Sequence, residues 1–232
     1  MGNAFEPKGA SPAYRRLMRP QQIPLDERLL DYVVRWSDPL PEAVSMAMRR
    51  ADELERSGMQ LSADQALLVR FLLRLIGARR VLEIGTFLGF SALVMADAVG
   101  PEGQIVCLDQ NAEWTQAAQE MWRQAGVSDR IELVLGDAHE TIRNLEGEFD
   151  AVLIDADKGG YLDYLEQVTP RLRSNGLLMV DNTLWSGEVV DEGEPGSDTE
   201  ALRYFNRVLA EHPDYDVVIV AVGDGLTLAR KT

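Results

Sequence analysis

The sequence predicts an α/β protein: a doubly wound sheet of seven strands, mostly parallel, closed by a carboxyl-terminal antiparallel hairpin and preceded by helices. Two features of the chain require it. From Arg80 onward, short apolar runs alternate with segments of helical period, the pattern of parallel strands joined by helical crossovers. At the end, Tyr215 to Val222 and Leu226 to Lys231 are separated only by Gly223-Asp224-Gly225. That is too short for a crossover helix, so the last strand must turn back on its neighbour.

Helix-period apolar residues occupy 26–36, 41–56 and 62–76, broken by Asp38-Pro39-Leu40-Pro41 and by Ser57-Gly58. Residues 1–79 are therefore expected to form a helical cap. Strands are expected at 80–84, 104–108, 131–135, 149–154 and 176–180, with helices near 90–98, 112–125, 139–145, 161–172 and 199–211 between them. Residues 80–232 then make the α/β core. With 232 residues, 46% of them hydrophobic, the chain can enclose one large core, and a single domain is the economical reading.

Composition excludes several functions. A net charge of −15 repels phosphate backbones, which disfavours nucleic acid as a partner; the small basic cluster from Tyr14 to Arg19 reads as the edge of an amphipathic helix. No apolar run reaches bilayer-spanning length, and the first residues lack the apolar stretch of a signal peptide, so no membrane association is expected. The lone Cys107 falls inside a predicted strand, allows no intrachain disulfide, and points to a reducing, cytoplasmic compartment.

The chemistry gathers at strand ends. The run Phe149 to Ile154 leads into Asp155-Ala156-Asp157-Lys158, and the run Gly176 to Val180 into Asp181-Asn182. Neighbouring parallel strands open their carboxyl ends on one ligand-binding edge, so Asp155, Asp181, Asn182 and Lys158 should converge. Two carboxylates and an amide carbonyl suit Mg²⁺, or Ca²⁺ or Mn²⁺ in its place, better than zinc, which favours imidazole and thiolate. Taken singly, each motif reads at least as well as a turn or helix start.

Upstream, the strand Val81-Leu82-Glu83-Ile84 runs into Gly85-Thr86-Phe87-Leu88-Gly89-Phe90-Ser91 and a helix. Gly85 permits a tight turn, and Gly89 close approach of the backbone to a ligand. Phe87 stands where the dinucleotide pattern G-x-G-x-x-G has glycine, and would crowd a pyrophosphate; a nucleoside without phosphates fits better. The strand Gln104 to Leu108 ends in Asp109, 24 residues after Gly85, where an acid can accept hydrogen bonds from both ribose hydroxyls.

Together the segments VLEIGTFLGFSALVMA, the strand ending CLD, FDAVLIDADK and GLLMVDNTLWSG resemble those of the class I S-adenosylmethionine-dependent O-methyltransferases, within them the cation-dependent caffeoyl-CoA and catechol type. The resemblance runs from about Met59 to Lys231. It implies a Rossmann-like fold with the terminal hairpin, and S-adenosylmethionine as methyl donor. Glu83, Gly85, Phe87, Gly89 and Ser91 would hold its methionine moiety, Asp109 its ribose, and Asp137-Ala138 would border adenine. Asp155 would face both cofactor and metal; Asp155, Asp181 and Asn182 would bind the metal, Lys158 would act as base, and the chain would form a homodimer. One segment departs from the family: Gln65-Ala66-Leu67 follows Ser62 where glycine is frequent.

The acceptor implied is a small aromatic with vicinal hydroxyls, which can chelate a cation. Trp185 and the Gly- and acid-rich stretch 186–197 are expected near it, the latter as a mobile substrate loop or, alternatively, a plain surface loop. Lys158 has an alternative as an ion-pair partner of Asp157 or Asp163. Trp114 and Trp122 read as packing residues, and His139 and His212 as structural or solvated. A tRNA hydroxyuridine methyltransferase of the same fold, a nicotinamide-dependent dehydrogenase and a non-catalytic binding protein are the competing readings.

Overall fold

The computed structural model describes residues 23–52, 59–191 and 193–232. The basic cluster Tyr14 to Arg19 and the end of the helix expected at 41–56 lie outside them. Seven strands form one sheet in the order β3-β2-β1-β4-β5-β7-β6. They are β1 (Arg80–Ile84), β2 (Gln104–Asp109), β3 (Ile131–Leu135), β4 (Phe149–Ile154), β5 (Leu172–Val180), β6 (Tyr215–Val220) and β7 (Leu226–Lys231). The first five are mutually parallel, while β7 inserts between β5 and β6 and is antiparallel to both. The expected α/β architecture is thus present, with the hairpin forming the sheet's far edge.

Eight helices are described: α1 (Glu27–Arg35), α2 (Glu42–Asp52), α3 (Ala63–Leu75), α4 (Phe90–Val99), α5 (Ala112–Gln124), α6 (Ala138–Thr141), α7 (Tyr161–Val168) and α8 (Asp198–Ala210). Alternation along the strands divides the core in two. Val81, Ile105, Cys107, Ala151 and Leu153 face a layer that includes Ala66, Val69 and Leu73 of α3 and most of α4. Leu82, Ile84, Val106, Leu108, Val152 and Ile154 face α7 and α8 through Tyr161, Leu165, Leu202 and Phe205. Period-2 burial on both faces is what a central parallel sheet demands. Truncating fully buried Leu82 to alanine would cost about 2–5 kcal/mol.

Several boundaries differ from the sequence reading. Strand β5 starts at Leu172, not 176, and α7 stops at Val168, because Thr169–Arg171 forms a 3₁₀ turn around Pro170, which lacks the N–H a helix would need. The helix expected near 139–145 is a single α turn followed by the 3₁₀ turn Ile142–Asn144. Helix α3 packs as a full member of one layer of the core, whereas α1 has no buried residue. Among the described residues no helix is long and apolar enough to cross a membrane.

The chain leaves β1 toward β2 and β3 on one side and returns through β4 and β5 on the other. Ligands of doubly wound sheets bind at such a reversal, outside the carboxyl ends of the strands. The glycine turn after β1, Asp155 after β4 and Asp181 after β5 all emerge there.

Candidate active site

A cavity of about 1000 Å³ opens at this edge. It brings together Gly85, Phe87, Gly89, Ser91, Asp109, Asp137, Ala138, Asp155, Lys158, Asp181, Asn182 and Trp185 on one surface. Glu83 does not reach the wall. It is fully buried, with Ser91 Oγ donating to Oε1 and Cys107 Sγ to Oε2 at 3.2 Å. Burial pushes its carboxyl up to about 7, against the opposing effect of those two hydrogen bonds, and also pushes the Cys107 thiol up.

The glycine turn is shaped first by protein contacts. Gly85 has φ +87°, and a Cβ on it would lie 2.0 Å from the Asp155 carbonyl oxygen, so the turn can nest against β4's end only as glycine. Gly89 has φ +74°, and its Cβ would lie 2.6 Å from Trp122 Nε1, which donates to the Gly89 carbonyl at 2.9 Å. The indole of Trp122 occupies the space a side chain at Gly89 would need, while Gly89 itself stays on the cavity wall, and Trp122 is a packing residue as the sequence suggested. Phe87 adopts φ 50° and meets Trp114 edge to face at 5.0 Å, giving the cavity an aromatic wall; Trp114 thereby belongs to the site.

Asp109 has a task not visible in the sequence. Its Oδ2 accepts from the N–H groups of Thr86 at 2.9 Å and Phe87 at 2.8 Å, and its Oδ1 from Asn111 N–H at 2.8 Å. The carboxylate therefore holds the glycine turn in place while half-exposed to the cavity. Asp137 caps α6 by accepting from His139 N–H at 2.8 Å. The His139 ring stacks on Tyr164 at 4.5 Å and contacts the Asp163 carboxylate, so this histidine, expected to be structural or solvated, lines the cavity in a fixed position.

The acidic corner lies where β4 and β5 end. Asp155 and Asp181 are both buried enough that desolvation raises their carboxyls above the ordinary range, Asp181 to about 7. The Asp155 charge adds to the rise of Asp181, and Lys158 opposes the rise in both. Lys158 Nζ donates to Asn182 Oδ1 at 2.7 Å, Tyr161 Oη at 2.8 Å and the Ala156 carbonyl at 3.0 Å, and lies 3.4 Å from Asp155 Oδ1. It also faces the rings of Tyr161 and Trp185 at 5.0 and 5.7 Å. The sequence alternative, a pair with Asp157 or Asp163, is not formed: Asp157 accepts from Tyr164 Oη at 2.7 Å, and Asp163 is taken up by His139 and Gln167.

These residues fit a divalent cation by their donor chemistry. The carboxylate of Asp155 and the amide oxygen of Asn182 face the Lys158 ammonium, whose charge also reaches the Asp181 carboxylate, so the protein already directs a positive charge into this corner. Among the described residues no cluster of three or more His, Cys, Asp and Glu could hold a metal; a cation in this corner would need Asn182, at φ 57° and with its Oδ1 facing Lys158, as its third donor. Asn tolerates that backbone region better than most residues.

The segment after Asn182 is tied to α8 by hydrogen bonds and is partly folded into turns. Asn206 Nδ2 of α8 donates to the Thr183 carbonyl at 2.7 Å, Thr199 Oγ1 donates to Glu188 Oε2 at 2.7 Å, and Trp185–Val190 forms 3₁₀ turns. The sequence reading also missed Gln65, whose Nε2 donates to Asp181 Oδ1 at 2.6 Å. Only a capping-box spacing from Ser62 marks it in the chain.

A family model described as O-methyltransferase matches residues 37–232. A probable caffeoyl-CoA O-methyltransferase 2 of Dictyostelium discoideum is 31% identical over 220 residues, covering 90% of this chain and 94% of that protein. A catechol O-methyltransferase of Mycobacterium tuberculosis is 35% identical over 209 residues, covering 88% and 93%. The crystal structure of the methyltransferase PaMTH1 of Podospora anserina, bound to SAH, superposes with a TM-score of 0.81 at 28% identity, covering 90% of this chain and 98% of that one. A family model that spans most of the chain and relatives above 30% identity over nearly its whole length agree, and the chain belongs to the O-methyltransferase family.

Proposed function

We propose that the protein transfers the methyl group of S-adenosylmethionine to one of two adjacent hydroxyls of a small aromatic, with Mg²⁺ or a similar cation (Ca²⁺, Mn²⁺) in its acidic corner. The observation that carries this reading is the convergence of Asp155, Asp181 and Asn182 around Lys158, in a cavity whose opposite end presents the glycine turn and Asp109. The bound product of the PaMTH1 structure and the caffeoyl-CoA and catechol enzymes among the relatives support the donor and acceptor classes.

S-adenosylmethionine, when bound, supplies an electrophilic methyl carbon on a positively charged sulfur. A cation held by Asp155, Asp181 and Asn182 would supply positive charge that makes a nearby phenol more acidic. The chain's own work is alignment and proton removal. Phe87 and Trp114 wall the cavity, and Asp109 fixes the turn that carries Phe87. Lys158, after giving up one of its own protons to solvent, takes the acceptor's proton on its neutral Nζ amine; the oxygen bonds to the methyl carbon as the carbon–sulfur bond breaks, and that electron pair stays on sulfur. Asn182 Oδ1 and Asp155 Oδ1 serve either the ammonium or a cation, so filling the corner frees Lys158 of two partners.

Charge selects the acceptor further. Among the described residues seven aspartates line the cavity against Lys158 and His139. Such a field disfavours an acceptor on a phosphate-rich carrier, whether a coenzyme A thioester or tRNA, and favours a free catechol, neutral or amine-bearing. Exposed Tyr32 and Trp36 of α1 and Phe71 and Leu75 of α3 support a homodimer, which light scattering would test.

The deciding experiment is methyl transfer from a labelled donor to a catechol before and after chelation. Activity should vanish with chelator and return with Mg²⁺, a monophenol should remain a poor substrate, and Asp181→Ala should mimic the chelator. Full activity in chelator would remove the cation from the reading.

A further inference from the structure

We infer that Gln65 is a positioning residue for the acidic corner: its amide fixes the orientation of the Asp181 carboxylate, and the turn of the terminal hairpin locks that amide from behind. The inference rests on the cation-binding reading above.

Gln65 is the third residue of α3 and is 2% exposed. Its two amide atoms have separate and unambiguous partners. Oε1 accepts from the Ser62 N–H at 2.9 Å, closing that half of the capping box at the helix start; Ser62 Oγ lies 3.0 Å from it and has its single proton shared with Asp64 Oδ1 at 2.5 Å. A backbone N–H can only donate, so Oε1 must be the atom facing Ser62, and Nε2 is thereby directed at Asp181 Oδ1, 2.6 Å away and 116 residues along the chain.

On Asp181 the consequence is a division of labour between the two carboxylate oxygens. Oδ1 receives Gln65 Nε2 and the Asn182 N–H, the latter at 2.7 Å. With two donors fixed on Oδ1, rotation of the carboxylate would break both bonds, and Oδ2 is the oxygen left for the corner. An outer partner that fixes a ligating group in this way commonly contributes tenfold to a hundredfold in metal affinity.

The hairpin supplies the backstop. Gly223, with φ +53°, lies against the Gln65 amide so closely that a Cβ there would come within 2.3 Å of Cδ and 2.4 Å of Oε1. Any side chain at 223 must therefore displace the amide, which couples the β6–β7 turn to the Asp181 side chain through Gln65, beside the bonds that the carbonyls of Asp224 and Gly225 accept from Leu184 and Thr183.

The test is Mn²⁺ and Mg²⁺ affinity, by electron paramagnetic resonance and calorimetry, on the full chain without methyl donor, together with metal-free melting temperatures. Gln65→Met keeps the length and removes the donor; Gly223→Ala leaves Gln65 intact but pushes on its amide; Ser62→Ala weakens the cap and spares the Asp181 bond. We expect Gln65→Met and Gly223→Ala to raise the Mn²⁺ dissociation constant about tenfold or more, and Ser62→Ala to leave it within about twofold while lowering the melting temperature. Melting temperatures that fall in Gln65→Met with Mn²⁺ affinity unchanged would overturn the inference and reduce Gln65 to a cap. A wild-type chain that takes up neither ion would instead overturn the cation reading, and this inference with it.

Discussion

Lys158 reaches across from the end of β4 to the end of β5, its Nζ 2.7 Å from Asn182 Oδ1. One side chain thus joins the two strand ends that carry the acidic corner, and it is nine-tenths shielded from solvent. A lysine held there purely for structure and one held there as a base make different demands on substitution. Lys158→Met preserves length and packing, so donor binding should survive while turnover falls about a hundredfold or more, the usual loss on removing a general base. The residual rate should climb with pH as the acceptor ionises unaided. Wild-type turnover in the variant, measured with the labelled donor, would return Lys158 to a bridging role only.

Asp109 should show two effects at once. Loss of charge-assisted acceptors for the ribose hydroxyls in Asp109→Ala should weaken S-adenosylmethionine binding by about 2–4 kcal/mol. Because Thr86 and Phe87 lose the acceptor of their N–H groups, the melting temperature should drop even without ligand. Calorimetry giving unchanged affinity would take Asp109 out of the donor site, whatever happened to stability.

Glu83 sets a pH dependence. It ionises near 4.5 in the unfolded chain but near 7 when buried in the fold, so its ionisation penalises the folded state. Stability from this group is intact below about pH 4.5 and is lost as pH rises toward about 7, by about 3 kcal/mol in all. Glu83→Gln removes the titration. Denaturant melts should show the variant gaining on the wild type between about pH 5 and about pH 8; a constant difference across that range would mean that Glu83 titrates as an ordinary carboxylate.

The acidic lining should be legible in acceptor preference. A free catechol or a catechol amine should give a KM lower by about tenfold or more than the matching caffeoyl coenzyme A ester, and added salt should narrow the gap by screening. A lower KM for the thioester at low salt would contradict this assignment.

The sheet, and the strand-end acids and glycine turn of the cavity, are legible in the chain itself. Apolar runs ending in Asp109, Asp155 and Asp181 have only one way to lie as parallel strands with buried faces, and that places their carboxyl ends on one edge. The three-residue link Gly223-Asp224-Gly225 likewise left no alternative to a hairpin. Period and turn length are local properties, and a chain displays them openly. What the tertiary structure alone decided is who holds whom. A side chain at Gly89 would meet Trp122, Asp109 accepts from the glycine turn besides its expected part at a ribose, and Gln65 meets Asp181 from the other half of the chain. Those partners are set by the packing of α3 and α5 against the sheet and by the geometry of single hydrogen bonds. No residue spacing carries that information, because it arises only when distant segments share one buried surface.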